Sequence, residues 1–231
     1  MPHTKMTWSA FREHLRKMWM VYLIGIAVCL GAVELLWTVT EPQIPDDRTV
    51  LIYLADSSSN PEALKDVAEK MLEETRKQDP SLQKVEFQSL QYADPELDYT
   101  GPMILMARLT GGDSDAFLAN RFAMEDLVSG GALLPLDEFV AEGWMEAYGL
   151  EPYYASRENE NGEKSTFLAG LKLDSLHALS EREAFREEGA FLAVFANGTN
   201  QAATLYALEV MVGVLSAEGA QEAVPASAAS G

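Results

Sequence analysis

The chain begins with a polar, basic stretch over residues 1–17 and turns almost wholly apolar over residues 18–40. Met18 to Val33 is a run without a charge, and beyond Glu34 the apolar character resumes as far as Val39. Read through, the run is about 22 residues, close to the ~20 that cross a bilayer as a helix. Trp19, Tyr22 and Trp37 fall near its two ends, where amphipathic rings favour the lipid–water interface. Residues 41–48 then form a short linker holding Pro42 and Pro45, suited to stand a domain off from an anchor.

From Thr49 the period changes. Thr49–Ala55 (TVLIYLA) is a continuous run of strand-forming residues, the pattern of a strand buried on both faces. Asp56–Asn60 reads as a polar loop, with Asn60 as a helix cap and Pro61 in the first helical position. Leu64, Val67, Ala68, Met71 and Leu72 then recur at helical spacing until Asp79-Pro80, and a second strand follows over Lys84–Leu90. Strand, amphipathic helix, strand predicts a βαβ unit and a largely parallel sheet with helices on its faces.

The pattern continues with a helix over 101–109 stopped by Gly111-Gly112, a strand over 114–119, and a helix over 121–129 closed by Gly130-Gly131. The turn at Pro135 leads to a short helix near 138–142. Residues 151–164 read as a polar loop or hairpin tip. Strands are predicted over 166–173 and 190–196, with a short charged helix over 180–188 between them. A last helix over 201–215 places Ala202, Leu205, Leu208, Val212 and Leu215 on its apolar side. The Ala/Ser/Gly/Glu-rich end, 216–231, is predicted to be a disordered tail, which leaves 49–215 as the folded domain.

Charge gives the anchor a direction. Lys5, Arg12, Arg16 and Lys17 precede the apolar run, and such a basic flank favours a cytoplasmic N-terminus. The domain would then be extracytoplasmic, on a single-pass protein of the cytoplasmic membrane. A cleaved or lipidated signal is the alternative, although Glu34 and Trp37 stand where a peptidase prefers small residues and Val28 immediately precedes Cys29. After residue 40, 13 basic against 34 acidic residues leave a formal charge of −21. Phosphate binding needs clustered Lys and Arg, so a nucleic-acid partner is not expected.

Chemistry-bearing residues are sparse. Cys29, the one cysteine, lies in the apolar run, and His177 is the one histidine beyond it. A thiolate or histidine zinc site is therefore not expected, and neither is a cofactor. No Gly-x-Ser-x-Gly elbow accompanies His177, which reads as an ordinary half-buried residue, and the chain is not expected to be an enzyme. Arg157–Gly162 has Arg where a calcium loop needs its first ligand, so it reads as a loop. Asp113 and Asp115 form a candidate carboxylate pair, with Asp115 better explained by entry into its strand.

The stretch Leu109–Val140 (LTGGDSDAFLANRFAMEDLVSGGALLPLDEFV) resembles the N-terminal lobe of the extracellular solute-binding proteins of ABC importers. The resemblance lies in Gly111-Gly112 ending a helix, Asp115-Ala116-Phe117 opening a strand, Leu127–Gly131 closing a helix, and Leu134-Pro135-Leu136-Asp137. Ala190–Val212 is similar to the family's strand followed by an Ala-rich helix. This implies a three-layer, periplasmic-binding-protein-like α/β lobe after one transmembrane helix. It also implies a membrane-tethered solute-binding module with an ABC permease as partner. Members are usually two lobes that close on a solute by hinge motion, and this chain has room mainly for one. A non-enzymatic assembly or regulatory domain that docks a membrane partner is the alternative. In open parallel sheets ligands gather at the carboxyl ends of strands, so the candidate ligand residues are Asp56, Ser57, Ser58, Ser59 and Asn60 after the first strand, and Asn120 and Arg121 after the third.

Overall fold

The structure, a computed structural model, describes residues 8–40, 44–96, 98–112, 114–158, 164–186 and 189–222; the side chains of 9–11, 14, 15, 37–40, 142, 158 and 220–222 lie outside that description. The chain divides into two units, residues 1–43 and 44–231.

The first unit is one helix, α1 (Trp8–Thr40). It starts inside the stretch read as a polar tail, where Glu13 and Lys17 pair across one turn at 2.9 Å. Its 21-residue section Arg16–Leu36 has a mean hydropathy of 2.1, and every described side chain of it is exposed. By length and apolarity this section is able to cross a membrane.

The second unit is built on a six-stranded sheet in the order β2-β1-β3-β6-β5-β4. The strands are β1 (Thr49–Asp56), β2 (Lys84–Gln91), β3 (Ala116–Ala119), β4 (Glu151–Glu158), β5 (Lys164–Lys172) and β6 (Phe191–Val194). β1 pairs in parallel with β2 and β3, whereas β3–β6, β6–β5 and β5–β4 are antiparallel. The sheet is thus mixed and mostly antiparallel, which corrects the expectation of a largely parallel one. Two segments account for the difference. Residues 151–158, read as part of a polar loop or hairpin tip, form the edge strand β4, where Pro152 deprives no inner ladder of a donor. Residues 173–190 return the chain to the same end of the sheet without a crossover, which makes β6 antiparallel to β5.

Side chains of β1 alternate between two apolar clusters. Val50, Ile52 and Leu54 face the first, into which α2 (Lys65–Gln78), α5 (Glu142–Tyr148) and α7 (Gln201–Glu222) pack. Tyr53 and Ala55 face the second, with α3 (Thr100–Gly111) and α4 (Arg121–Ser129). Helices therefore cover both faces. The connection β1–α2–β2 lies on one face and β2–α3–β3 on the other, as right-handed crossovers require when strand order reverses about β1.

Other expectations shift. Asn60 makes no side-chain cap; Pro61 opens a 3-10 turn, Pro61–Leu64, before α2. The helix expected near 138–142 begins later, as α5, because residues 137–139 turn while the Asp137 carboxylate accepts from the Leu168 N–H at 2.9 Å. The helix expected over 180–188 shrinks to α6 (Ala178–Glu181), after which Glu183 takes a left-handed φ of 55°. Residues 216–222, read as tail, continue α7. The expected hairpin tip 159–163, Asp113, and the remainder of both termini lie outside the described residues.

A single guanidinium ties three of these elements together. Arg182, just past α6, forks onto Asp66 of α2 at 2.7 and 2.8 Å. It also donates to Glu218 of α7 at 3.0 Å and to the Ala63 carbonyl at 2.9 Å. The fork holds the Asp66 carboxyl below the usual carboxylate range, the Arg182 hydrogen bond being the main cause. Asp66 is largely solvated, so screening discounts the pair. Replacing Arg182 with Met should cost about 1–2 kcal/mol in denaturant unfolding of the full chain in detergent. A depressed carboxylate stabilises above its unfolded value of 3.8 and loses that contribution as pH falls through its native value. The wild-type advantage should therefore shrink on acidification below that pH.

Candidate functional site

The reversal of strand order puts a topological switch point at the carboxyl ends of β1 and β3, where Ala55 and Ala119 are paired neighbours. Asp56 and Asn120 follow directly, so the structure brings the two halves of the predicted site together. It also commits them. Asp56 is fully buried, and its carboxylate accepts from the Ser57 N–H at 2.6 Å and the Arg186 N–H at 2.7 Å. Ser59 donates to the Leu54 carbonyl at 3.1 Å and shares a 2.7 Å hydrogen bond with Ser89. Asn120, 1% exposed, caps α4 by accepting from the Ala123 N–H at 3.0 Å, while its amide donates to the Tyr92 carbonyl at 2.9 Å. The side chains of Ser58, Asn60 and Arg121 reach solvent, and Arg121 is paired with Glu125 at 2.8 Å.

The return segment 173–190 accounts for this. Ala184 accepts from the Asn60 N–H at 3.1 Å, Arg186 donates to Asp56, and the Leu173 N–H bonds the Ala190 carbonyl at 2.8 Å. The segment thereby lies over the end of β1 where a ligand would enter. His177 stands on it, exposed rather than half-buried, at the start of α6.

Compared with known proteins, the chain matches no family model, no curated protein and no solved structure.

Three other features were not singled out from sequence. A small cleft of 150 Å³ lies at the amino ends of the strands, among Gln88, Arg108, Ser114 and Asp115. The Asp115 carboxylate there accepts from the Leu51 N–H at 2.9 Å and the Thr199 N–H at 3.1 Å, tying β1 and the turn before α7 to β3. Its reading as a strand-entry residue thus has a structural basis. Burial pushes its pKa up against the effect of those hydrogen bonds. A second cleft, of 330 Å³ and mainly apolar, opens between α5, α7 and the sheet. Trp144 lines it, and the buried indole N–H finds no acceptor among the described residues. An unpaired donor of this kind costs about 1–3 kcal/mol.

The third feature is the outer side of α3. Tyr99, Met103 and Met106 are 74%, 73% and 57% exposed, with Ile104 and Ala107 beside them, while Gly101 and Leu105 are buried. The stretch 99–112 (YTGPMILMARLTGG) holds one cation, Arg108, and no acid. The Arg108 guanidinium lies 5.5 Å from the Tyr53 ring centroid, so it is drawn back onto the domain. The signal for this surface was available in sequence: Met103-Ile104-Leu105-Met106 puts apolar side chains all round the helix, more than one buried face can use. Among the described residues, no group of three or more His, Cys, Asp or Glu is placed to hold a metal ion.

Asn120→Ala should destabilise the full chain by about 1–3 kcal/mol, because both the cap and the bond to the Tyr92 carbonyl are lost, whereas Ser58→Ala should be neutral within about 0.5 kcal/mol. Denaturant midpoints compare the two. For Asp115 the sign is reversed relative to Asp66. Its carboxyl binds a proton more tightly in the native chain than at the unfolded value of 3.8, so its contribution is greatest below that pH and declines as pH rises through the raised native value. A pH series of unfolding free energies should fall less steeply across that window in Asp115→Asn than in wild type.

Proposed function

We propose that the chain is a non-enzymatic module, anchored in the cytoplasmic membrane by α1 and exposed outside it, that docks a membrane-protein partner through α3. The observation that carries this reading is the acid-free apolar face of α3 on a chain whose formal charge beyond residue 40 is −21. Exposed apolar side chains grouped on one helix face are a feature of interaction sites. The charge selects the occupant. Two copies of so acidic a domain repel each other, as do this domain and anionic head groups, so the fitting partner is a neutral or basic protein surface with an apolar centre. The short linker 41–48 keeps such a domain among membrane proteins. The basic flank of α1 supports a cytoplasmic N-terminus, and Glu34 and Trp37 favour an uncleaved anchor.

The second reading is the solute-binding module itself, associated with an ABC permease. It is favoured by the β2-β1-β3 unit with helices on both faces, which agrees with a periplasmic-binding-protein-like lobe. The involvement of Asp56, Ser59 and Asn120 in internal bonds weighs toward docking instead. On the proposed reading the lobe is an inherited scaffold and the partner surface is its working part.

Two experiments address this. A photo-crosslinking residue at Met103, activated in intact membranes, should give one discrete adduct with another membrane protein, and Met106→Glu should abolish it without altering chain abundance. An adduct of the mass of two chains, or none, would overturn the docking reading. For sidedness, Ser165→Cys in a Cys29→Ser background should react with a membrane-impermeant maleimide on intact cells; labelling only after permeabilisation would reverse the orientation.

A further inference from the structure

The cleft between α5, α7 and the sheet is a second place where the molecule is able to bind something, and it is independent of the α3 face. Its floor is the apolar core itself: Leu136, Leu171, Leu192, Val194 and Leu208, each at most 3% exposed. Its rim is Phe139, Ala141, Trp144, Tyr206 and Glu209. Phe139 is 52% exposed although it sits beside this apolar floor. At 330 Å³ the cleft falls at the lower end of small-molecule sites, which span ~300–1,000 Å³ and are mostly apolar with a few polar groups.

Those polar groups define a chemistry. Trp144 carries a buried N–H that finds no acceptor among the described residues, so the wall it forms offers a donor in need of one. The Trp144 ring lines the cleft and lies 5.3 Å from that of Tyr148, tilted by 56°. Glu209 places a carboxylate at the rim, on a domain that is acidic throughout. A carboxylate or phosphate ligand is disfavoured there, and an uncharged one is not. We infer that the α5–α7 cleft binds a small uncharged apolar molecule, aromatic or alkyl, that bears one carbonyl-type acceptor directed to Trp144.

The test uses the full chain in nanodiscs of neutral lipid, with Trp8→Phe, Trp19→Phe and Trp37→Phe, which leaves Trp144 as the one tryptophan. Its emission is followed during titration with 4-phenyl-2-butanone, which is neutral and carries a ketone. Two probes of the same shape serve as comparisons: 3-phenylpropionate, an anion, and n-butylbenzene, which has no acceptor. The expected result is a saturable shift with the ketone, binding of the anion at least about tenfold weaker, corresponding to 1.4 kcal/mol, and intermediate binding of the hydrocarbon. Ala141→Phe, which fills the exposed mouth without touching the floor, should abolish the ketone response. Glu209→Gln should narrow the gap between ketone and anion. A non-saturable or absent response in a chain that unfolds cooperatively would overturn the inference, and so would an unchanged response in Ala141→Phe or equal binding of ketone and anion. None of these outcomes bears on the crosslink at Met103.

Discussion

Strand β1 is buried on both faces and hydrogen-bonded on both edges, and most of the outer domain follows from accommodating it. Its run from Val50 to Ala55 has no polar side that water could take, apart from the Tyr53 hydroxyl. Parallel neighbours on both edges satisfy its backbone, and helices on both faces cover its side chains. Reaching both edges through right-handed crossovers places α2 and α3 on opposite faces. The same requirement creates the switch point at Asp56 and Asn120. Asp115 completes the arrangement from the other end, since its carboxylate takes the Leu51 N–H of the central strand.

The two faces of the sheet are covered unequally. On the α2/α7 face, helices pack against one another and are tied by the fork of Arg182. On the α3/α4 face, α4 is held by the Asn120 cap and α3 buries little more than Gly101 and Leu105. Gly101 is needed for that approach, because a Cβ there would come within 3.1 Å of the Gln91 carbonyl oxygen. α3 therefore lies close against β2 while presenting Met103 and Met106 outward. This imbalance is the structural basis of the proposed docking through α3.

The two strand ends that carry the candidate ligand residues come together in the structure, and there Asp56 and Asn120 are engaged in internal hydrogen bonds. The rule that ligands collect at strand carboxyl ends pointed to Asp56 and Asn120, which follow the paired residues Ala55 and Ala119. What it did not include was segment 173–190, read as a strand end and a charged helix, which folds back and uses Asp56 as an acceptor for Arg186. A polar residue after a strand looks the same in sequence whether it meets a ligand or a backbone N–H.

Local pattern determined the elements whose neighbours are close in the chain. β1, β2 and α4 lie close to where hydrophobic period and Gly130 put them, and α2 follows the 3-10 turn opened by Pro61, because their signals are short-range. The apolarity of α1 is likewise a property of sequence alone, since no packing is needed to make Arg16–Leu36 unfavourable in water. Tertiary structure alone decided the direction of β6, the strand character of 151–158 and the burial of Asp56 and Asn120. Each depends on a partner far away along the chain, and a strand's direction or a carboxylate's acceptor role is set by that partner rather than by its own residues.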